Sequence, residues 1–154
     1  MQSQDLVLKL QDLSMNKILI VQTTWYEEET VDMSNIVINI LENDELDKTT
    51  RIITATAPGA LELAAVAKQH ILKHDDCIGI IFNGIVRRGE TIHYQLVTNE
   101  TFRSIGSLAE SFCNIAIINN VICVENLAQL EKRLLKNTKN NTYALIELIN
   151  EKSS

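Results

Sequence analysis

Short apolar runs alternate with longer stretches of mixed polarity along this chain, and each kind of segment predicts one kind of element. Lys17-Ile-Leu-Ile-Val-Gln22 is continuously apolar over the length of a buried strand. From about residue 27 to 43 the apolar positions Val31, Met33, Ile36, Val37, Ile40 and Leu41 recur at helical spacing. Arg51-Ile-Ile-Thr-Ala-Thr-Ala57 is rich in β-branched residues, which fit a pleated surface, and reads as a second strand. Pro58-Gly59 breaks the chain, Pro being suited to a helix start, and residues 60–74 then predict a helix rich in Ala and Leu. Residues 77–82 predict a third strand, 94–112 a long helix and 115–118 a fourth strand. Residues 125–135 and 142–151 read as two closing helices, separated by the polar stretch Lys136-Asn-Thr-Lys-Asn-Asn141.

Strand–helix alternation with apolar strands implies an α/β fold: a doubly wound, four-stranded parallel sheet with helices on both faces. Residues 1–15 stand outside the alternation. Leu6-Val-Leu-Lys-Leu10 reads equally as an added N-terminal edge strand or as a frayed arm, leaving residues 16–152 as a single α/β domain.

In such a sheet, ligands bind beyond the carboxyl ends of the strands, where loops and helix N-termini converge. All four predicted strand ends carry unusual residues: Thr23-Thr-Trp-Tyr26, Ala57-Pro-Gly-Ala-Leu-Glu62, Asn83-Gly-Ile-Val-Arg-Arg-Gly-Glu-Thr-Ile-His93 and Asn119-Asn120. Trp25 beside Tyr26 offers a stacking surface for a flat heterocycle, although a lone Trp is more often packed in a core. Glu62 suits either the helix macrodipole or ligand hydroxyls. Gly89-Glu-Thr91, leading into a helix, could hold a phosphate on backbone N–H groups and the Thr hydroxyl, and Thr is equally a good helix cap. His93 follows that turn and is a candidate general acid/base, since histidine gives and takes protons near neutral pH. His70 and His74 are four apart on a helix but bring no third ligand, so they read as surface residues and no metal site is expected.

Composition narrows the classes. The 154 residues carry a net charge of −6 without a Lys/Arg cluster, which argues against nucleic acid. Apolar and charged contents of 45% and 22% are those of globular proteins. Three cysteines without metal or CxxC spacing suggest a reduced, cytoplasmic protein. The apolar runs are too short to span a membrane, and the first residues make a poor signal peptide.

Taken together, Thr24-Trp-Tyr26, Ala57-Pro-Gly-Ala-Leu-Glu-Leu63 and Gly84-Ile-Val-Arg-Arg-Gly-Glu-Thr-Ile-His93 resemble the lumazine synthase family over roughly residues 16–150. Asn99-Glu100 and Ile146-Glu-Leu148 also fit. The resemblance implies a flavodoxin-like fold and a cofactor-independent condensation of a ribitylaminouracil with a dihydroxybutanone phosphate. It implies proton transfer by His93, stacking of the pyrimidine on Trp25, and a ribityl site at Ala60, Leu61 and Glu62. Ile85, Val86 and Arg87 would border the pyrimidine, mainly through backbone. Asn119 would lie at a subunit boundary, and Glu90 (backbone), Thr91 and Arg133 would hold the phosphate.

A homopentamer or a multiple of pentamers is implied, with the site between subunits and riboflavin synthase as a candidate partner. Several positions depart from the pattern. Arg87 replaces an aliphatic residue, Leu61 a common Phe, Gln95 an acid, and Asn119 an aromatic. Residues 136–141 shorten a Gly-Asn-Lys-Gly-like segment. The alternatives are a catalytically weakened shell-forming or ligand-binding homologue, and an archaeal-type riboflavin synthase.

Overall fold

The middle of the sheet belongs to the strands that are apolar on both sides. In β1 (Lys17–Thr23), Ile18 and Ile20 join one core cluster and Leu19 and Val21 another, all nearly inaccessible to solvent. The computed structural model describes residues 16–43, 49–89 and 93–153. The edge strand expected in residues 1–15 lies outside them. β1 pairs in parallel with β2 (Arg51–Ala57) and β3 (Cys77–Arg87), and β3 pairs in parallel with β4 (Ala116–Val124). The order is β2-β1-β3-β4. The chain thus leaves β1 in one direction, then crosses back to continue on its other side. That reversal makes the gap between the carboxyl ends of β1 and β3 the topological switch point of a flavodoxin-like sheet.

Helices cover both faces. α1 (Glu27–Asn43) buries Thr30, Met33, Ser34, Val37 and Leu41 at helical spacing, with Glu27, Glu28 and Glu29 in its first turn, where the macrodipole favours acid. It packs beside the last helix, α4 (Leu127–Ser153). The other face carries α2 (Leu63–Lys73) and α3 (Tyr94–Ser111), which meet over Leu63, Ala67, Ile105 and Leu108. A 3₁₀ turn, Ala60–Glu62, precedes α2. Gly84 lets that turn sit close to the rim: a Cβ there would lie 3.3 Å from both Leu63 Cδ1 and Thr23 Cγ2.

Three elements are longer than the sequence pattern predicts. β3 runs to Arg87 rather than residue 82, and β4 runs from Ala116 to Val124 rather than 115–118. The two closing helices are one helix of 27 residues, unbroken across 136–141. A single polar layer accounts for all three. Thr56, Gln22, Asn83 and Asn120 stand side by side in register across the sheet. Asn83 Nδ2 donates to Ser34 Oγ of α1 at 3.1 Å, and Asn120 Nδ2 donates to Asn83 Oδ1 at 2.8 Å. Asn120 Nδ2 also donates to Thr138 Oγ1 at 3.0 Å, and Asn141 Nδ2 returns a bond to Asn120 Oδ1 at 2.7 Å. The amides that look like loop residues in sequence satisfy one another inside the fold. They separate an apolar cluster around Ile20, Ile81, Leu145 and Ile149 from another around Met33, Ile85, Ile122 and Leu130.

Candidate active site

The residues after β1 turn sharply. Tyr26 has φ 58°, a left-handed conformation that costs an aromatic residue energy and that tends to occur where function demands it. The turn is held by Thr23 Oγ1, which donates to Trp25 O at 2.7 Å, and by Thr30 Oγ1, which donates to Thr23 O at 2.8 Å. As a result Trp25 and Tyr26 stand edge to face, with ring centroids 6.3 Å apart and planes at 84°. Trp25 is 63% exposed, too open for a core aromatic.

These rings form one wall of a cleft of about 190 Å³ at the switch point. Ile85 and Val86, at the end of β3, supply buried apolar lining, and Arg87 supplies the charge. Ala60 from the 3₁₀ turn and Val97 from the first turn of α3 complete it. Three of the four rim connections therefore meet in one cavity, including Trp25, Ala60, Ile85, Val86 and Arg87 from the expected set. Tyr26 and Val97 line it as well. Val97 had no signal in the sequence beyond its place one turn into a helix.

The remaining candidates among the described residues do not line this cleft. Leu61 and Glu62 are exposed on the 3₁₀ turn, with Glu62 Oε1 folded back to 3.3 Å from where a Gly59 Cβ would be. His93 is the exposed N-cap of α3. Val97 N donates to His93 O at 2.9 Å, so the two residues share a helix face. Glu90 and Thr91 lie outside the described residues. Asn119 sits within β4 opposite Phe82, rather than beyond a strand end, and its Oδ1 accepts from Val121 N at 2.8 Å. Arg133 is exposed on α4, where its Nη1 donates to Cys123 O at 3.2 Å. Gly89, with φ +95°, makes the turn that ends β3.

Burial raises the pKa of the Tyr94 phenol, with the neighbouring Cys123 adding to the effect, and burial likewise raises that of the Cys123 thiol. Both groups therefore favour their neutral forms beside the start of α3.

The sequence model of the 6,7-dimethyl-8-ribityllumazine synthase family matches residues 15–152. This chain belongs to that family. Relatives named 6,7-dimethyl-8-ribityllumazine synthase include one from Neisseria gonorrhoeae, 36% identical over 99 residues, which are 64% of this chain and 61% of the relative. One from Methylobacillus flagellatus is 36% identical over 64% of this chain and 65% of its own length. One from Nitrosomonas europaea is 32% identical over 64% of this chain and 59% of its own length. The chain thus spans about three-fifths of the length of the curated relatives it matches.

The opposite rim of the sheet holds a second cluster. Lys17 Nζ is 3.1 Å from Asp76 Oδ2, and His70 and His74 have ring centroids 6.1 Å apart beside Cys77. No group of three or more His, Cys, Asp or Glu among the described residues could hold a metal ion. No helix among them is long and apolar enough to cross a membrane. The three cysteines are free thiols.

Burial pushes the Cys77 thiol from 9.0 up to about 11. The unfolded chain releases this proton at lower pH than the folded one, so its contribution to stability is lost as pH rises from 9 towards 11. Cys77→Ser is expected to remove roughly 2 kcal/mol of the alkaline loss, read as the change in urea stability between pH 8.5 and 10.5. An equal loss in both proteins would rule out Cys77 as its source.

Proposed function

We propose that this protein condenses 5-amino-6-(D-ribitylamino)uracil with 3,4-dihydroxy-2-butanone 4-phosphate to give 6,7-dimethyl-8-ribityllumazine, a step of riboflavin biosynthesis. The observation that carries the reading is the aromatic-walled cleft at the β1–β3 switch point in a chain of this family. The uracil amine attacks the butanone carbonyl and loses water to form an imine. Phosphate is eliminated, and the ribityl-bearing nitrogen closes the second ring with loss of another water. Bond changes therefore release one phosphate and two waters, with no net oxidation.

Much of the rate would come from holding two substrates in register, which replaces a bimolecular encounter. Trp25 stacks on the pyrimidine, Ile85 and Val86 supply an apolar bed, and Arg87 borders the ring. Ala60, Leu61 and Glu62 take the ribityl chain, Glu62 accepting from its hydroxyls. His93 moves the protons of imine formation and phosphate loss. Glu90, Thr91 and Arg133 hold the phosphate. Arg133 is exposed and outside its own chain's cleft, which suits a site completed by a neighbouring subunit in a pentamer, with Asn119 at the boundary. Sedimentation velocity is expected to give a pentamer or a multiple of it.

Mixing the purified chain with both substrates and following lumazine absorbance tests the reading. Product no faster than the uncatalysed background would reject it, and conversion of added lumazine to riboflavin would replace it with a riboflavin synthase. Arg133→Ala is expected to raise KM for the phosphorylated substrate about ten-fold or more, as loss of a charge-assisted phosphate contact should. An equal rise for both substrates would remove Arg133 from the phosphate site.

A further inference from the structure

The two adjacent arginines at the end of β3 behave differently. Arg88 is exposed beyond the strand, where its Nη1 lies 3.0 Å from Glu125 Oε1 and its backbone N donates to Val124 O at 2.8 Å. Arg87 is partly buried and faces the cleft. Among the described residues that line the cleft, it is the charged one, the others being aromatic or aliphatic. Its backbone is fixed by pairing with Val124, so a rigid strand delivers the guanidinium. A charge among apolar walls acts through a lower effective dielectric than in water. The planar guanidinium stacks on flat rings and matches a delocalised anionic edge through paired N–H donors.

We infer that the Arg87 side chain sets the charge preference of this cleft, which takes flat imide-type heterocycles in their anionic form over their neutral form. The inference rests on the proposed function, in which a pyrimidinedione lies between Trp25 and β3. That ring carries an N–H between two carbonyls. Loss of this proton spreads negative charge along the N–C=O edge, and the cation stabilises that form of the ligand. Backbone contacts alone leave discrimination to shape. The side chain adds discrimination by charge, and so makes residue 87 a specificity determinant.

Two ligands of the same outline test this at a fixed pH of 8: 6-(ribitylamino)uracils bearing a C5 nitro group, which is anionic there, or a C5 methyl group, which is neutral. Calorimetric affinities are compared for the wild-type chain, R87I and R87K. The wild type is expected to prefer the nitro compound, and R87I to lose about ten-fold of that preference while binding the methyl compound within about two-fold of wild type. R87K, which keeps the charge without the fork, should recover part of the ratio. A nitro-to-methyl ratio that R87I leaves unchanged, or that R87K does not raise above R87I, overturns the inference and leaves the proposed function standing. Failure of the wild type to bind either compound overturns both.

Discussion

Replacement of His93 by alanine is expected to slow lumazine formation about a hundred-fold, the scale of a lost general acid/base, with little change in unfolding. The two effects separate because the two halves of this residue do different jobs. The backbone carbonyl starts α3 by accepting from Val97 N, and alanine keeps that bond. The side chain is exposed and does not cap the helix. It lies one turn from Val97, which lines the cleft, at the start of the helix that follows the Gly89 turn.

His93→Gln is the informative companion. Glutamine keeps a polar side chain of similar reach but cannot cycle a proton near neutral pH. If proton transfer is the role, both variants lose kcat by similar factors with KM changed little. If the role is to position substrate, glutamine retains most of kcat and alanine raises KM. Residual activity in either variant measures what the cleft achieves by holding the two reactants together. A His93→Ala rate within about three-fold of wild type would be too small an effect for a general acid/base.

The strand ends were legible in sequence because they mix types that pattern alone does not require. An exposed Trp after β1, a Pro-Gly before a turn, and paired arginines after an apolar run each mark a rim, and the fold brings these rims to one cleft. β1 and α1 were legible because their partners are apolar and the pattern records apolar burial, and β2, buried only at Ala57, was legible from its β-branched composition. The misread element boundaries centre on amides. Asn83 and Asn119-Asn120 read as strand ends, and the stretch at 136–141 read as a loop, because polar residues normally face water. Their burial depends on partners 37 and 18 residues away, as between Asn120 and both Asn83 and Thr138. A window along the chain cannot see such pairs. Arg133 was expected at the phosphate only through the family resemblance, and the fold leaves it exposed outside its own chain's cleft.

Asn120→Ala is expected to destabilise the chain by about 3 kcal/mol, because one truncation strands several buried groups. Asn120 is 1% exposed and joins β4 to β3 through Asn83 and to α4 through both Thr138 and Asn141. Alanine removes all three bonds and leaves the Asn83 oxygen without that donor in a layer bounded by apolar clusters. A lost contact at the surface would be replaced by water; here the neighbours are Thr138 and Asn83, both 0% exposed. The same layer fixes the register of α4, and with it the height at which Arg133 stands against β4. Activity should therefore fall with stability, chiefly through KM for the phosphorylated substrate. A double-mutant cycle with Thr138→Val distinguishes a shared network from two separate sites. Thr138→Val alone removes one of the two acceptors of Asn120 Nδ2, so the pair together should cost less than the sum of the singles by about 1 kcal/mol. Denaturation must be compared at one protein concentration, since the proposed assembly of subunits would shift the midpoint by mass action. Strict additivity of the two changes, or a loss below about 1 kcal/mol for Asn120→Ala, would mean that the layer is not coupled and that α4 is held by its apolar contacts, through Leu130, Leu145 and Ile149.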